Sequence, residues 1–169
     1  MSIAEEIKKN GRRTLKKSHL AFLGIFLVST IGLRAWQYRL PETIVNLKGE
    51  KLHVLVADTV ARQNLGLGKR DSLASYDGML FIFPESERYG FVMRDMRFPI
   101  DIVWLQAGAV VDIAPDVPIE PGVAEETLRV YFPRAPANTV LELHAGWVRA
   151  RELKIGDKFT GRKLGASQM

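Results

Sequence analysis

From residue 51 onward, short apolar runs alternate with polar breaks marked by Gly and Pro, and the pattern predicts a sheet. Residues 51–57 place Leu52, Val54 and Val56 on one face and His53 and Leu55 on the other, the two-residue period of a strand. Asp58-Thr59 then offers an N-cap to a short helix carrying Val60, Ala61 and Leu65, which Gly66 or Gly68 can end. After a loop over residues 71–78, further strands are predicted at 79–83, 89–93, 100–105, 109–114, 128–132, 139–144 and 158–160. Pro84 closes the first of these and sets up a hairpin with 89–93, while Gln106-Ala107-Gly108 turns the chain between 100–105 and 109–114. Residues 115–121 (PDVPIEP) are read as a proline-rich loop, and 145–153 as a second short helix. The sum is an α+β fold, mainly β, with a compact barrel-like or strongly curved sheet and two short helices.

Two of the runs, 78–83 and 100–105, are apolar almost without a break, as in strands buried on both faces. Asp101 lies inside the second, where a carboxylate is expensive unless something pairs it. On an extended strand it shares a face with Val103 and Leu105. Two readings stay open: a buried ion pair with Arg62, Arg70 or Arg94 that orients the helix on the sheet, or a ligand-binding carboxylate at a strand start.

Before the sheet the pattern changes. Residues 8–19 (KKNGRRTLKKSH) are basic, and residues 20–33 (LAFLGIFLVSTIGL) carry no charge. As a helix that stretch rises only about 21 Å, short of the roughly 30 Å hydrocarbon core. Extension to Trp36, with Trp36 and Tyr38 as interfacial anchors, brings it near the required length. The expected plan is a basic cytoplasmic flank (1–19), a hydrophobic signal-anchor helix lying in the bilayer (20–36), a linker (37–47), a β-rich domain (48–163) and a tail (164–169). The positive flank keeps the N-terminus inside and sends the domain to the periplasmic side of the cytoplasmic membrane. Secretion after signal-peptide cleavage is the alternative.

Charge fits this plan. Of 24 Lys/Arg and 19 Asp/Glu, residues 1–39 hold eight basic and two acidic residues. The remainder carries 16 basic and 17 acidic, so the domain lacks a basic footprint for nucleic acid. A hydrophobic fraction of 47% suits a globular chain. The absence of cysteine excludes disulfides and thiol chemistry.

Candidate chemistry is sparse. Arg62 and Arg70 flank a helix end and could converge on an anion, or simply pair with Asp58 and Asp71. Glu142 and His144 share a strand face with Val140, an arrangement open to acid/base work. Met79, Met93 and Met96 could hold a soft metal but also suit core gaps. Only three histidines occur, with no His-x-x-x-His spacing, so neither a metal nor a cofactor is expected. The candidate ligand-binding set is Asp101, Arg62, Arg70, Met93, Arg94, Glu142 and His144.

A set of residues falls in order along the domain: Val56-Ala57-Asp58-Thr59, Arg62, Gly66-Leu67, Arg70, Asp77-Gly78-Met79-Leu80-Phe81, Phe91, Met93, Pro99-Ile100-Asp101, Val140-Leu141-Glu142, Gly146 and Gly156-Asp157. In these the chain resembles the UPF0127 (DUF192) family. The resemblance implies a compact β-rich fold, often exported or membrane-tethered, and brings no catalytic assignment. The chain departs from the family pattern at Gly68, where methionine is common, and at residues 91–96 (FVMRDM).

The expected role is that of a membrane-tethered envelope module that binds a small polar ligand or a partner protein. One alternative is an envelope hydrolase or lyase using Asp101 with Glu142 or His144. Another is a structural module of an envelope assembly, with an exposed apolar patch around Trp104 or Trp147.

Overall fold

The computed structural model describes residues 40–161, together with 24–26 and 29. The hydrophobic helix expected over residues 20–36 therefore lies largely outside the described residues. Within it, residues 24–26 and 29 are helical, and Ser29 Oγ donates to the Ile25 carbonyl at 2.7 Å. Among the described residues no helix is long and apolar enough to cross a membrane.

Seven strands form one sheet: β1 (Glu42–Leu47), β2 (Glu50–Ala57), β3 (Gly78–Glu87), β4 (Ile100–Gln106), β5 (Ala109–Val117), β6 (Ala137–His144) and β7 (Phe159–Gly161), in the order β5-β4-β6-β3-β2-β1-β7. All neighbours are antiparallel except β2 and β3. That parallel pair needs a crossover, which is supplied by helix α1 (Val60–Leu65) and the loop after it. Thr59 caps α1 by accepting from the Arg62 amide, and Gly66 ends it at φ 50°. A second helix, α2 (Trp147–Ala150), follows β6.

The sheet curls into a half-barrel. Its two edges meet at one end, where Ala109 bridges Lys158 and Val110 exchanges hydrogen bonds with Gly156 and Asp157. Both faces are covered, which is why the central strands do not alternate. Val54, Leu80, Val103, Leu141 and Leu143 pack on one face with Trp147 of α2. Met79, Phe81, Ile102, Trp104 and Val140 pack on the other with Leu67, Leu73 and Met93. Trp104 and Trp147 are both buried, so neither forms the exposed patch a structural module would present.

Four local expectations are corrected. Residues 42–47, read as linker, form β1, because Val45 and Leu47 are buried under the sheet despite polar neighbours. Strand β3 does not stop at Pro84. It runs on to Glu87 through an irregularity between Ile82 and Glu87, where the missing proline N–H breaks no ladder bond. Residues 89–93 and 128–132 are not strands; they touch through a single Phe91–Tyr131 bridge, and Phe91, Met93 and Tyr131 serve packing rather than pairing. Finally, Pro115 and Asp116 belong to β5, an edge strand, where a proline is tolerated.

Candidate functional site

Asp101 is fully buried, with 0% exposure, and its partners are not arginines. Its Oδ1 accepts the backbone N–H groups of Asp116 (2.7 Å) and Gly146 (3.3 Å), and its Oδ2 that of Val148 (2.7 Å). The carboxylate thereby fastens the start of α2 and the bulged end of β5 to the middle of the sheet. The expected ion pair with Arg62, Arg70 or Arg94 does not form. Backbone donors satisfy the charge instead, which is as effective as a guanidinium when several converge.

Two of the three arginines are engaged elsewhere. Arg62 pairs with Asp58 one helical turn away at 2.6 Å, so it steadies the entry of α1. Arg94 reaches Glu125 at 2.6 Å and the Asn64 carbonyl at 2.8 Å. Arg70 is half-buried in the loop after α1. Met93 is part of the core, and His144 is exposed beside the Phe98 ring.

Arg62 Nε and Glu142 Oε2 are both buried without a partner among the described residues, and of the two residues only Glu142 lines a cavity. It lies mid-strand in β6, flanked across the sheet by Met79 of β3 and Ile102 of β4, both apolar and buried. Its exposure is 6%, and its Oε2 finds no hydrogen-bond partner among the described residues. Burial without compensation pushes its carboxyl up to about 8, so it is mainly protonated at neutral pH.

This carboxyl lines a cavity of about 320 Å³. One wall is the end of α1 and its exit, Gln63 to Gly68. The other holds Phe81, Phe83, Tyr89 and Phe91, with Arg94 and Met96 alongside. Phe83 and Tyr89 stack at 3.8 Å, while Phe91 meets Phe81 edge-on at 5.0 Å. The segment runs this close because Gly90 has no side chain: a Cβ there would stand 2.6 Å from both Val130 and Phe132. The Gln63 amide is occupied by the Ile82 carbonyl at 2.8 Å. Glu142 is thus a buried, open polar group in a chamber with one aromatic wall and a mixed wall that carries Gln63 and Asn64.

Of the seven residues singled out from sequence, Glu142 and Arg94 line this cavity. Met93 joins Arg94 along a smaller one of about 180 Å³, and Asp101, Arg62, Arg70 and His144 line neither. The aromatic wall was not anticipated, although Phe81, Phe83, Tyr89 and Phe91 recur at two-residue spacing on either side of a turn. Among the described residues no cluster of His, Cys, Asp and Glu could hold a metal ion.

A curled, mainly β domain with one uncompensated carboxyl in an aromatic cavity defines the class. The chain belongs to the DUF192 (UPF0127) family, described as an uncharacterized ACR, which matches residues 43–161. Two solved structures are similar. One is a Sinorhizobium meliloti 1021 protein described as a proposed transcription regulator, 26% identical with a TM-score of 0.64, covering 72% of this chain and 95% of its own. The other is a Novosphingobium aromaticivorans DSM 12444 protein of unknown function, 26% identical with a TM-score of 0.63, covering 71% of this chain and 85% of its own. No curated protein matches the chain.

Proposed function

We propose that the domain is a small-ligand binding module, held outside the cytoplasmic membrane by residues 20–36. The observation that carries the binding reading is the Glu142 Oε2 atom, buried and unpartnered in the wall of the cavity. Leaving such a group unsatisfied costs about 1–3 kcal/mol, a penalty that a ligand hydrogen-bonding to it would remove. The cavity size and one aromatic wall facing polar side chains fit a small-molecule site.

The hydrolase or lyase alternative loses its proposed pair, because Asp101 lies outside the cavity and His144 does not line it. The regulator description of the Sinorhizobium protein is not carried over, since residues 40–169 hold 16 basic against 17 acidic residues and offer no excess of charge for a phosphate backbone.

Ligand-observed NMR with a panel of monocyclic aromatic amines, alcohols and amides tests the binding reading. Several members should give saturation transfer that Asn64→Trp, which fills the mouth from an exposed position, abolishes without changing the melting temperature. No transfer to any member at millimolar concentration would overturn it. The tether rests on the basic flank and uncharged stretch of residues 8–33. Membrane fractionation with intact-mass analysis should find the full chain in the membrane, and a soluble product beginning near residue 33 would sink the anchor.

A further inference from the structure

We infer that the Glu142 cavity takes an organic ammonium cation, its N–H groups meeting the buried carboxyl and its carbon body packed among the aromatic rings. This rests on the binding reading above and names the charge of the ligand.

Four aromatic side chains, Phe81, Phe83, Tyr89 and Phe91, line the cavity, and the faces of such rings attract cations. Of the side chains that could receive an anion, the half-buried ones are already used, and only the exposed Asn64 amide is left at the mouth. Arg94 is matched by Glu125 and the Asn64 carbonyl, and the Gln63 amide by the Ile82 carbonyl. What remains open among the cavity's buried groups is a carboxyl oxygen, whose strongest partner is a cationic N–H donor. The field at the Tyr89 side has the same sign: the Tyr89 phenol is pushed up by burial and then by Glu87 and Glu85.

The charged and titratable groups near Glu142 are Arg94, neutralised by Glu125, the Tyr89 phenol, and His144, two residues along β6 and exposed. The strands on either side contribute Met79 and Ile102. An ammonium ion entering at pH 7 leaves carboxylate and cation side by side, so the carboxyl proton passes to the buffer. Affinity should then rise with pH up to about 8, where the free carboxyl itself ionises.

Calorimetric titration of the full chain in detergent with 2-phenylethylamine, against 2-phenylethanol as a neutral probe of similar size, decides the matter. The amine should bind at least tenfold tighter than the alcohol at pH 7. Its affinity should gain roughly tenfold between pH 6 and 7, with about one proton released as judged from buffers of different ionisation enthalpy. Glu142→Gln should erase the preference for the amine. Alcohol binding as tightly as amine, or amine binding without proton release, overturns the ammonium inference and leaves the small-ligand reading standing. Failure of both probes to bind the wild type overturns the ammonium inference, and only the further absence of transfer to every member of the panel overturns the small-ligand reading with it.

Discussion

Asp101 and Glu142 sit on adjacent strands one step out of register: Asp101 faces Leu143, and Glu142 faces Ile102. Because side chains alternate across a strand, that single step sends the two carboxyls to opposite faces of the sheet. One is enclosed by backbone donors and the other opens on a cavity. Two buried acids that look alike in sequence therefore carry different consequences.

Removing Asp101 should hurt stability alone. Asp101→Ala leaves the buried Val148 N–H and the half-buried Asp116 and Gly146 N–H groups without their acceptor, at about 1–3 kcal/mol for the buried one and less for the others before relaxation or water entry. The expected loss is several kcal/mol, read as a lower urea midpoint for the full chain in detergent. An unchanged midpoint would mean that the carboxylate does not hold α2 to the sheet.

Glu142 should make the protein less stable as pH rises. Its carboxyl ionises at about 8 in the folded chain against an ordinary 4.5, so between those values the folded state holds a proton that the unfolded state has lost. Stability is fully present below about 4.5, falls toward 8 and then levels, at a limiting slope of about 1.4 kcal/mol per pH unit. Glu142→Gln, neutral throughout, should flatten this part of the profile. Denaturation midpoints between pH 5 and 8 for both proteins provide the check.

The central strands were legible because apolar runs without alternation mean burial on both faces, as in 78–83 and 100–105. Residues 42–47 were not, since Glu42, Thr43 and Asn46 mask Val45 and Leu47, which only the β1–β2 and β1–β7 pairings bury. Aromatic and β-branched content in 89–93 and 128–132 imitates a strand, but there Phe91 and Tyr131 pack against the core while Val130 and Phe132 stay exposed. The partner of Asp101 was hidden for a different reason: main-chain N–H groups leave no mark in a sequence, whereas arginines do. The cavity needs three segments distant in the chain, the α1 exit, the Phe81–Phe91 aromatics and β6, so neither its volume nor the isolation of Glu142 could be read from any one of them.

Gly78 ties the fold to the site. A Cβ at this position would overlap the Glu142 carbonyl oxygen and crowd Leu143, both on a neighbouring strand whose backbone cannot step aside without breaking the β3–β6 ladder. Gly78→Ala should cost on the order of 3 kcal/mol or more through overpacking, whereas Gly49→Ser, at a turn with open space, should cost less despite its positive φ of 88°. Thermal unfolding of the two variants side by side tests the difference, and equal losses would contradict it.

Asp112 and Arg134 offer a prediction with the opposite pH sense to Glu142. Burial pushes the Asp112 carboxyl up, but the Arg134 guanidinium and backbone N–H and the Ile113 N–H more than offset this and hold it below the usual range. A lowered carboxyl contributes stability that is present above its unfolded value and is lost as pH falls through the folded one. Arg134→Ala removes the guanidinium and leaves burial with less opposition, so the Asp112 carboxyl should ionise at a higher pH and acid unfolding should begin earlier. Carbon-detected NMR titration of Asp112 in both proteins reads the first effect directly. If Asp112 titrates at the same pH with and without the guanidinium, backbone donors alone hold it down, and Arg134, largely exposed, contributes little at that site.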